Sequence, residues 1–465
     1  MSRSPTRSLS QIYRSTRGGS SEFSFEQVVL TGLAGDGGLF IPHDIPSLPD
    51  HFLSDWSDLS FQELAHKILS LYIDPAEIPS RDLKNLIDRS YSGFRAKDVA
   101  PLYPLRPHEE LYLLELFHGP TYAFKDVALQ LLGNLFEYFL ARKNADSPIK
   151  SHITVVGATS GDTGSAAIYG LRNKKDVSVF ILHPKGRISP IQEAQMTTVL
   201  DSNVHNIAVE GTFDDCQDIV KELFSDKPFN IKYHLGAVNS INWARILAQI
   251  IYYFHSYFQL VRGRDITDKK VNYIVPTGNF GDILAGYYAK KMGLPMEKLI
   301  IATNANDILD RFFKSGVYEK LPVSELHSQD DTKGLPGDDA SVYTGGVQET
   351  VSPAMDILVS SNFERLLWYL ADENEPRDAG EAITGWMHQL KQDGKFAVSK
   401  EVLEAAKRDF DSTRVGDAET LATIAKYYTA SDGYKSYTLD PHTAVGVTAA
   451  ERMQRCCSFE PVLIM

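Results

Sequence analysis

A repeated strand–turn–helix rhythm constrains this chain more than any other feature of its sequence. Short apolar or β-branched runs, such as 153–156, 177–182 and 271–275, alternate with longer helical patterns from about residue 101 onward. Strands that alternate with helices form βαβ units. We therefore expect an α/β fold whose largely parallel sheets are covered by helices on both faces.

The rhythm also divides the chain. Residues 1–100 show mainly helical apolar spacing, as in 61–71, and predict a separate N-terminal region. We expect a smaller α/β domain over 101–265 and a larger one over 266–465. The stretch 324–346 is polar and turn-forming, which indicates an exposed insertion.

Composition narrows the class of protein. The 465 residues are 43% hydrophobic and 23% charged, which is typical of a soluble globular enzyme. A net charge of -13 argues against a nucleic-acid partner, because such proteins present a basic face. The three cysteines (Cys216, Cys456 and Cys457) form no CxxC pair, so we expect no disulfide framework and no metal site.

The N-terminus and the apolar runs bear on location. Residues 1–17 are rich in serine and arginine and faintly resemble a transit peptide, but a loose tail is the simpler interpretation. No stretch has the apolar length of a membrane span. We expect a cytoplasmic protein with no membrane partner.

One lysine stands where a strand-to-helix turn becomes a helix. Lys125 lies between the apolar run 111–117 and the helical pattern 127–140. The helix dipole and apolar neighbours disfavour a charged amine at this place. A neutral amine is what a Schiff base with an aldehyde requires, although most lysines are simply solvated.

Two small-residue turns follow the same form, a strand end that opens a helix. One covers 158–165 with Gly161 and Gly164, and the other covers 276–282 with Gly278 and Gly281. Free N–H groups and the helix dipole make such turns anion sites, at the edge where open α/β sheets bind ligands. An ordinary capped turn is the alternative for both. The second turn has no basic side chain and lacks GxGxxG, which disfavours a dinucleotide fold.

Two further segments carry weaker signals. Asn242 and Arg245, three residues apart, share one face of an apolar helix, and the arginine suits a phosphate or carboxylate as well as a salt bridge. In 440–447, Thr443 offers one neutral hydroxyl after Pro441. The HExxH, GxSxG and kinase motifs are missing from the sequence. A special lysine with several anion sites fits a lysine-bound phosphorylated cofactor better than a hydrolase or dehydrogenase.

These segments together resemble the threonine synthase family of fold type II pyridoxal-phosphate enzymes, the tryptophan synthase β-like fold. The resemblance rests on co-ordered segments that run from about residue 13 to 447: 13–18, 118–126, 158–167, 239–245, 278–282, 352–357 and 441–446. The polar insertion is similar to that of the fungal branch.

The resemblance implies a cofactor, a reaction and a set of site residues. Lys125 would hold pyridoxal 5'-phosphate covalently and act as base and acid, and the substrate would be O-phospho-L-homoserine, converted with water to L-threonine and phosphate. The implied cofactor residues are Lys125, Gly278, Asn279, Phe280, Gly281, Asp282 and Thr443, with Thr443 at the ring nitrogen. The implied substrate residues are Thr159, Ser160, Asp162, Thr163, Asn242 and Arg245.

The C-terminal segment departs from the family pattern. After Gly446 we expect a further strand, a helix and a Ser-Thr-Ala-His-Pro-Ala-Lys-Phe-like segment, but the chain continues to 456–465 and stops. A truncated end would expose a sheet edge and weaken the cofactor-ring side of the site. Alternatives are a phospholyase that yields 2-oxobutyrate, a serine or threonine dehydratase, and an inactive cofactor-binding protein. We expect a monomer or homodimer.

Overall fold

The computed structural model describes residues 11–19, 21–263, 269–320, 346–429, 435–454 and 461–465. Its strands are β1 Tyr13–Ser15, β2 Phe40–Pro42, β3 Leu102–Arg106, β4 Leu111–Leu114, β5 Ile153–Ala158, β6 Val177–Pro184, β7 Val204–Val209, β8 Leu235–Gly236, β9 Val271–Pro276, β10 Met296–Thr303, β11 Val317–Glu319, β12 Lys395–Ala397, β13 Phe410–Arg414 and β14 Val462–Ile464.

The helices alternate with these strands after the N-terminal region, as the sequence predicts. They are α1 Phe25–Thr31, α2 Phe52–Asp55, α3 Phe61–Tyr72, α4 Ser80–Tyr91, α5 Asp126–Ala145, α6 Asp162–Leu171, α7 Pro190–Thr197, α8 Phe213–Ser225, α9 Lys227–Tyr233, α10 Trp243–Val261, α11 Gly281–Met292, α12 Ile308–Ser315, α13 Phe363–Asn374, α14 Ala379–Gln392, α15 Lys400–Asp409, α16 Asp417–Tyr428 and α17 Pro441–Gln454. Short 3-10 helices cover Pro107–Glu109 and Pro353–Met355.

Two parallel sheets form the α/β part. The larger has the order β13-β10-β9-β14-β4-β3, and only its β3–β4 pair is antiparallel. The smaller has the order β7-β6-β5-β8 and is parallel throughout. The division of the chain into three regions stays a prediction. Strands β3 and β4 belong by sequence to the 101–265 region, but they pair in the larger sheet, whose other strands come from 266–465. The antiparallel β3–β4 hairpin extends that sheet through β4, whose four residues are all buried.

The C-terminal strand corrects an expectation. β14 lies in the middle of the larger sheet, parallel to both β9 and β4, and Leu463 and Ile464 are fully buried. The predicted exposed sheet edge is therefore wrong. A parallel strand covered on both faces is a continuous apolar run, and Val462–Ile464 is such a run.

Two helices show how packing fixes the frame of the site. α10 is buried along nearly its whole length, and α5 crosses α6 so closely that a Cβ on Gly133 would come within 1.9 Å of the Gly170 carbonyl oxygen. Only glycine permits that approach of the two backbones. α13 begins at Phe363, and the residues just before it bond to the 276–282 turn.

The N-terminal region is mainly helical, as expected. α1 and α3 both begin with capping boxes, formed by Ser24 with Gln27 and by Ser60 with Glu63. Among the residues that the structure describes, no helix is long and apolar enough to cross a membrane, and no cluster of acidic, histidine or cysteine side chains is suited to a metal ion. The 324–346 insertion, apart from Gly346, lies outside the described residues.

Candidate active site

Lys125 immediately precedes α5 and is largely buried, with 9% of its surface exposed. The loop before it is locked by Asp126, whose carboxylate accepts from the Thr121 N–H at 2.7 Å and its hydroxyl at 2.9 Å. A Cβ on Gly119 would lie 2.4 Å from the Asp126 Cβ, so the loop requires glycine there. The predicted strand-to-helix placement of the lysine is confirmed.

The amine of Lys125 forms an ion pair with Asp162 at the start of α6. Burial alone would raise the pKa of the Asp162 carboxyl, but Lys125 and then His442 hold it below its usual range. Asp162 also acts on Arg245, whose pKa burial lowers to about 10. The tertiary structure thus brings together residues at or near the starts of four helices: Lys125 at α5, Asp162 at α6, Arg245 at α10 and His442 at α17.

The 158–165 turn uses its first threonine internally. The Thr159 hydroxyl accepts from the Gly161 and Gly164 N–H groups at 3.0 and 2.9 Å and donates to the Gly161 carbonyl at 3.1 Å. Thr159 is 1% exposed, so it shapes the turn and does not offer a free hydroxyl to substrate. Ser160 is exposed and Thr163 is half-buried, and both remain candidates for substrate contact.

The two residues predicted to hold a substrate phosphate have different surroundings. Asn242 is fully buried, caps α10 by accepting from the Ala244 N–H at 3.1 Å, and donates to the Val29 carbonyl at 3.0 Å. These contacts use the amide for the helix cap and for α1, and its role at a substrate phosphate stays a prediction. Arg245 donates to the Val238 carbonyl at 2.9 Å, and among the described residues its buried Nε has no partner.

One face of α10 joins the lysine to the second small-residue turn. Arg245, Gln249 and Tyr252 follow each other at spacings of four and three residues, so they lie on the same side of the helix. Tyr252 donates to Asp282 at 2.7 Å, and the Gln249 amide oxygen lies 3.6 Å from where a Cβ on Gly281 would stand. Sequence reasoning missed Gln249 and Tyr252, although their spacing from Arg245 was a usable signal.

The acidic residue of the second turn faces away from the anion site. The Asp282 carboxyl accepts from the hydroxyls of Tyr252 at 2.7 Å and Tyr253 at 2.9 Å. Burial raises the pKa of Asp282 to about 6, and the two tyrosine hydrogen bonds only partly offset this effect. The carboxylate is therefore held by α10, and the predicted place of Asp282 at the cofactor phosphate rests on its main-chain N–H group.

The main chain of the 276–282 turn is arranged for an anion. Phe280 precedes α11 in the left-handed conformation, with φ 63°, and its ring packs against Phe363 and Phe410 in the core. No side chain among the described residues caps α11, so its first N–H groups remain for another acceptor. A Cβ on Gly278 would lie 3.1 Å from the Ala354 carbonyl oxygen, which explains the glycine.

Residues before α13 hold this turn from behind. Ser360 donates to the Gly278 carbonyl at 2.7 Å, and Ser361 donates to the Asn279 side chain at 3.0 Å. Asn362 donates to the Asn279 carbonyl at 3.0 Å from its side chain and at 3.1 Å from its main chain. None of these three carried a signal in the sequence, because they lie about 80 residues from the turn they support.

Thr443 lies in the first turn of α17 and is half-buried. Its hydroxyl donates to Asp440, which also accepts from the main-chain N–H of His442 at 2.9 Å and of Thr443 at 3.3 Å. Burial would raise the pKa of the Asp440 carboxyl, but His442 and Thr443 hold it below its usual range. The His442 Nε2 accepts from the Ala354 N–H at 3.1 Å, so this histidine braces the site.

A part-buried lysine, parallel strands and an uncapped glycine-rich helix start define a class of protein. The family model described as "Pyridoxal-phosphate dependent enzyme" matches residues 97–353, and this chain is a pyridoxal-phosphate-dependent enzyme. The model described as "Threonine synthase N terminus" matches residues 12–91. Threonine synthase of Saccharomyces cerevisiae is 60% identical over 454 residues, which cover 96% of this chain and 84% of that protein. The chain belongs to the threonine synthase family.

Solved structures agree with that assignment. The crystal structure of threonine synthase from yeast superimposes with a TM-score of 0.88 at 58% identity and covers 98% of this chain and 86% of that one. The PLP-bound threonine synthase from Brucella melitensis gives a TM-score of 0.84 at 42% identity, with coverages of 98% and 88%. The fold type II class, the cofactor and the lyase activity of a threonine synthase are thereby confirmed.

The residues in place fit pyridoxal 5'-phosphate. The cofactor needs an amine for its aldehyde, an anion site for its phosphate and a polar group near its ring nitrogen. Lys125 supplies the amine, the uncapped start of α11 supplies N–H groups, and Thr443 at the start of α17 supplies a hydroxyl.

Proposed function

We propose that this enzyme converts O-phospho-L-homoserine and water into L-threonine and phosphate. The observation that carries the proposal is the Lys125–Asp162 ion pair, with Arg245 beside Asp162 in the same buried cluster. A substrate with an amine, a carboxylate and a phosphate needs an anion site besides the cofactor's own, together with a group that moves protons. This cluster, the exposed Ser160 and the half-buried Thr163 supply those elements.

Lys125 is the residue that binds the cofactor aldehyde and moves the substrate protons. When bound, the cofactor supplies an electron sink adjacent to the substrate Cα. With the cofactor bound, the Lys125 amine beside Asp162 would take the Cα proton of the substrate and later return one. Asp162 stabilises the ammonium form between these transfers, because its depressed pKa keeps it charged at neutral pH.

The remaining residues hold and orient. The main-chain N–H groups of 278–282 would hold the cofactor phosphate, and Thr443, whose hydroxyl is oriented by Asp440, would lie at the ring nitrogen. Arg245 binds the substrate phosphate, because its Nε is buried without a partner among the described residues and its guanidinium forks onto phosphate oxygens. Asn242 and Thr159 support this set from the helix cap and the turn.

The test uses purified protein loaded with pyridoxal 5'-phosphate. Phosphohomoserine is added while the visible spectrum, phosphate, threonine and 2-oxobutyrate are followed together. We expect equal amounts of threonine and phosphate. Accumulation of 2-oxobutyrate in place of threonine would identify a phospholyase, and a spectral change without phosphate release would identify an inactive cofactor-binding protein.

The cellular compartment and the oligomeric state of the enzyme are proposals as well. We place it in the cytoplasm as a monomer or homodimer, since its composition is that of an ordinary globular enzyme. Fractionation of cells and sedimentation of the purified protein test the two statements separately.

A further inference from the structure

Arg365 occupies a position that ordinary helix rules disfavour. It lies in the first turn of α13, where the helix dipole opposes a cation, and its side chain is fully buried. Burial lowers the pKa of the guanidinium to about 10, so the group is still charged at neutral pH. A buried charge at the unfavourable end of a helix costs free energy, which points to a role that compensates for it.

The three hydrogen bonds that the structure describes for Arg365 all go to neutral groups, although the charge of the neighbouring Glu364 also acts on its guanidinium. Arg365 donates to the Phe40 carbonyl at 2.8 Å, to the Ile241 carbonyl at 2.6 Å and to the Asn362 side chain. Among the described residues none of its hydrogen-bond acceptors is a carboxylate. The neighbouring Glu364 is taken by Arg17 at 3.0 Å and by the Thr16 hydroxyl at 2.6 Å.

One side chain separates this charge from the cofactor turn. Asn362 accepts from Arg365 and donates to the Asn279 carbonyl at 3.0 Å, and its amide nitrogen lies 3.5 Å from where a Cβ on Gly281 would stand. The 276–282 turn has no basic side chain of its own, and its one charged residue is the acidic Asp282. A phosphate at this turn therefore meets main-chain dipoles in front and a cation behind.

We propose that Arg365 is the positioning residue that supplies the fixed positive charge for the cofactor phosphate, acting through Asn362 on the 278–282 main chain. This inference rests on the proposed placement of the phosphate at that turn. Arg365 touches neither substrate nor reacting atoms. It acts by stabilising the dianion and by holding the turn against the lead-in of α10 at Ile241.

The experiment compares the apoenzyme's affinity for pyridoxal 5'-phosphate with that for pyridoxal, which lacks the phosphate. The dissociation constant of pyridoxal divided by that of pyridoxal 5'-phosphate isolates the phosphate contribution, whereas damage to the fold lowers both affinities. We expect Arg365→Met to reduce this ratio about ten- to hundredfold, the size of one charge near a phosphate at the effective dielectric of a protein. Arg365→Lys is a pH-dependent companion, because a buried lysine loses its proton more readily than an arginine: its ratio should approach that of wild type at low pH and that of Arg365→Met at high pH.

Glu364→Gln is the matched control, because it weakens the neighbouring link to the N-terminal region and leaves Arg365 charged. Equal reductions of the ratio in Glu364→Gln and Arg365→Met would overturn the proposal, as would an unchanged ratio in Arg365→Met. If Arg365→Met does not fold, Asn362→Asp is compared with Asn362→Leu. Both remove the side-chain donor to the Asn279 carbonyl and leave the main-chain donor, but only Asp neutralises Arg365, so an equal ratio in these two also overturns the proposal.

A Gly278→Val variant separates this inference from the placement of the phosphate. Its added side chain would meet the backbone of Ala354 and Met355 and displace the turn. If Gly278→Val leaves the ratio unchanged, the phosphate does not bind at 278–282 and both statements fail. If Gly278→Val lowers the ratio and Arg365→Met does not, the placement of the phosphate at 278–282 is supported and only the proposed role of Arg365 is overturned.

Discussion

The turns at 158–165 and 276–282 look alike in sequence, yet their acidic residues face opposite ways. Both follow a buried parallel strand, contain two glycines and open a helix with an aspartate in its first turn. Asp162 faces Lys125 and stays charged, whereas Asp282 is turned onto Tyr252 and Tyr253 and its pKa is raised to about 6. The first turn thus places a carboxylate beside Lys125. The second turn directs its carboxylate toward α10, away from its own free main-chain N–H groups.

The largest expected loss of turnover follows from replacing Lys125, the ion-pair partner of Asp162 in the 158–165 turn. Lys125→Ala should lower turnover by about a thousandfold or more, because the group that anchors the cofactor and moves protons is lost. Reduction with borohydride followed by mass spectrometry measures covalent cofactor at residue 125. Lys174→Ala is the control, since that lysine pairs with Asn134 and Glu137 away from the site. Turnover retained by Lys125→Ala would contradict the assignment.

Glycine substitutions in the two turns should separate substrate from cofactor binding. Gly161 has φ 155° and faces Gln192, so Gly161→Ala strains the substrate turn and should raise KM about tenfold with little change in cofactor affinity. Gly278→Val should instead weaken cofactor binding by a similar factor. Steady-state kinetics with saturating cofactor and cofactor titration of the apoenzyme distinguish the two. The same pattern in both variants would mean that the turns are not functionally distinct.

Asp282→Asn tests whether the second turn excludes its charge. The folded-state pKa of about 6 lies above the unfolded value of about 4, so the folded protein binds the extra proton between these pH values. Wild-type apoenzyme should therefore lose about 2–3 kcal/mol relative to Asp282→Asn as pH rises from about 4 to 6. Urea unfolding across this range gives the difference. A difference that does not change with pH would show that Asp282 is not desolvated.

Asp162→Asn should show the opposite pH dependence and a smaller effect. The folded-state pKa of Asp162 is depressed, so its stabilisation is present above the unfolded pKa and is lost as pH falls through the folded value. Asp162→Asn should cost the apoenzyme about 1–2 kcal/mol at neutral pH, and the difference from wild type should shrink below about pH 4. A double-mutant cycle with Lys125→Met isolates the ion pair. A coupling energy of zero at neutral pH would show that the Lys125–Asp162 ion pair does not stabilise the apoenzyme.

Local sequence was enough to predict the parts of the site that depend on neighbours in the chain. Lys125 before α5 and the glycine turns before α6 and α11 follow from apolar runs, small residues and helix starts within a few positions. The hydrogen-bond partners of Asn242, Thr159 and the Asp282 side chain were not predictable in this way. Their hydrogen-bonding groups are used by the helix cap, by the turn and by α10, and sequence patterns do not show which partners such groups find.

The position of the C-terminal strand in the larger sheet was also not predictable from local sequence. Val462–Ile464 is too short and too apolar to place from pattern alone, and it occupies the centre of the larger sheet. Parallel neighbours are joined by long connections, so sequence separation carries no information about which strands become adjacent. The supporting contacts of Ser360, Ser361 and Asn362 to a turn some 80 residues away were hidden for the same reason.

The sequence by itself determined the α/β class, the lysine at a helix start and the two small-residue turns, because backbone preferences and apolar periodicity act over a few residues. Only the tertiary structure decided which charges meet. It paired Lys125 with Asp162, buried Asp282 against tyrosines and placed Arg365 behind the cofactor turn. Those outcomes depend on desolvation and on distances across packed elements, and both exist only after the chain has folded.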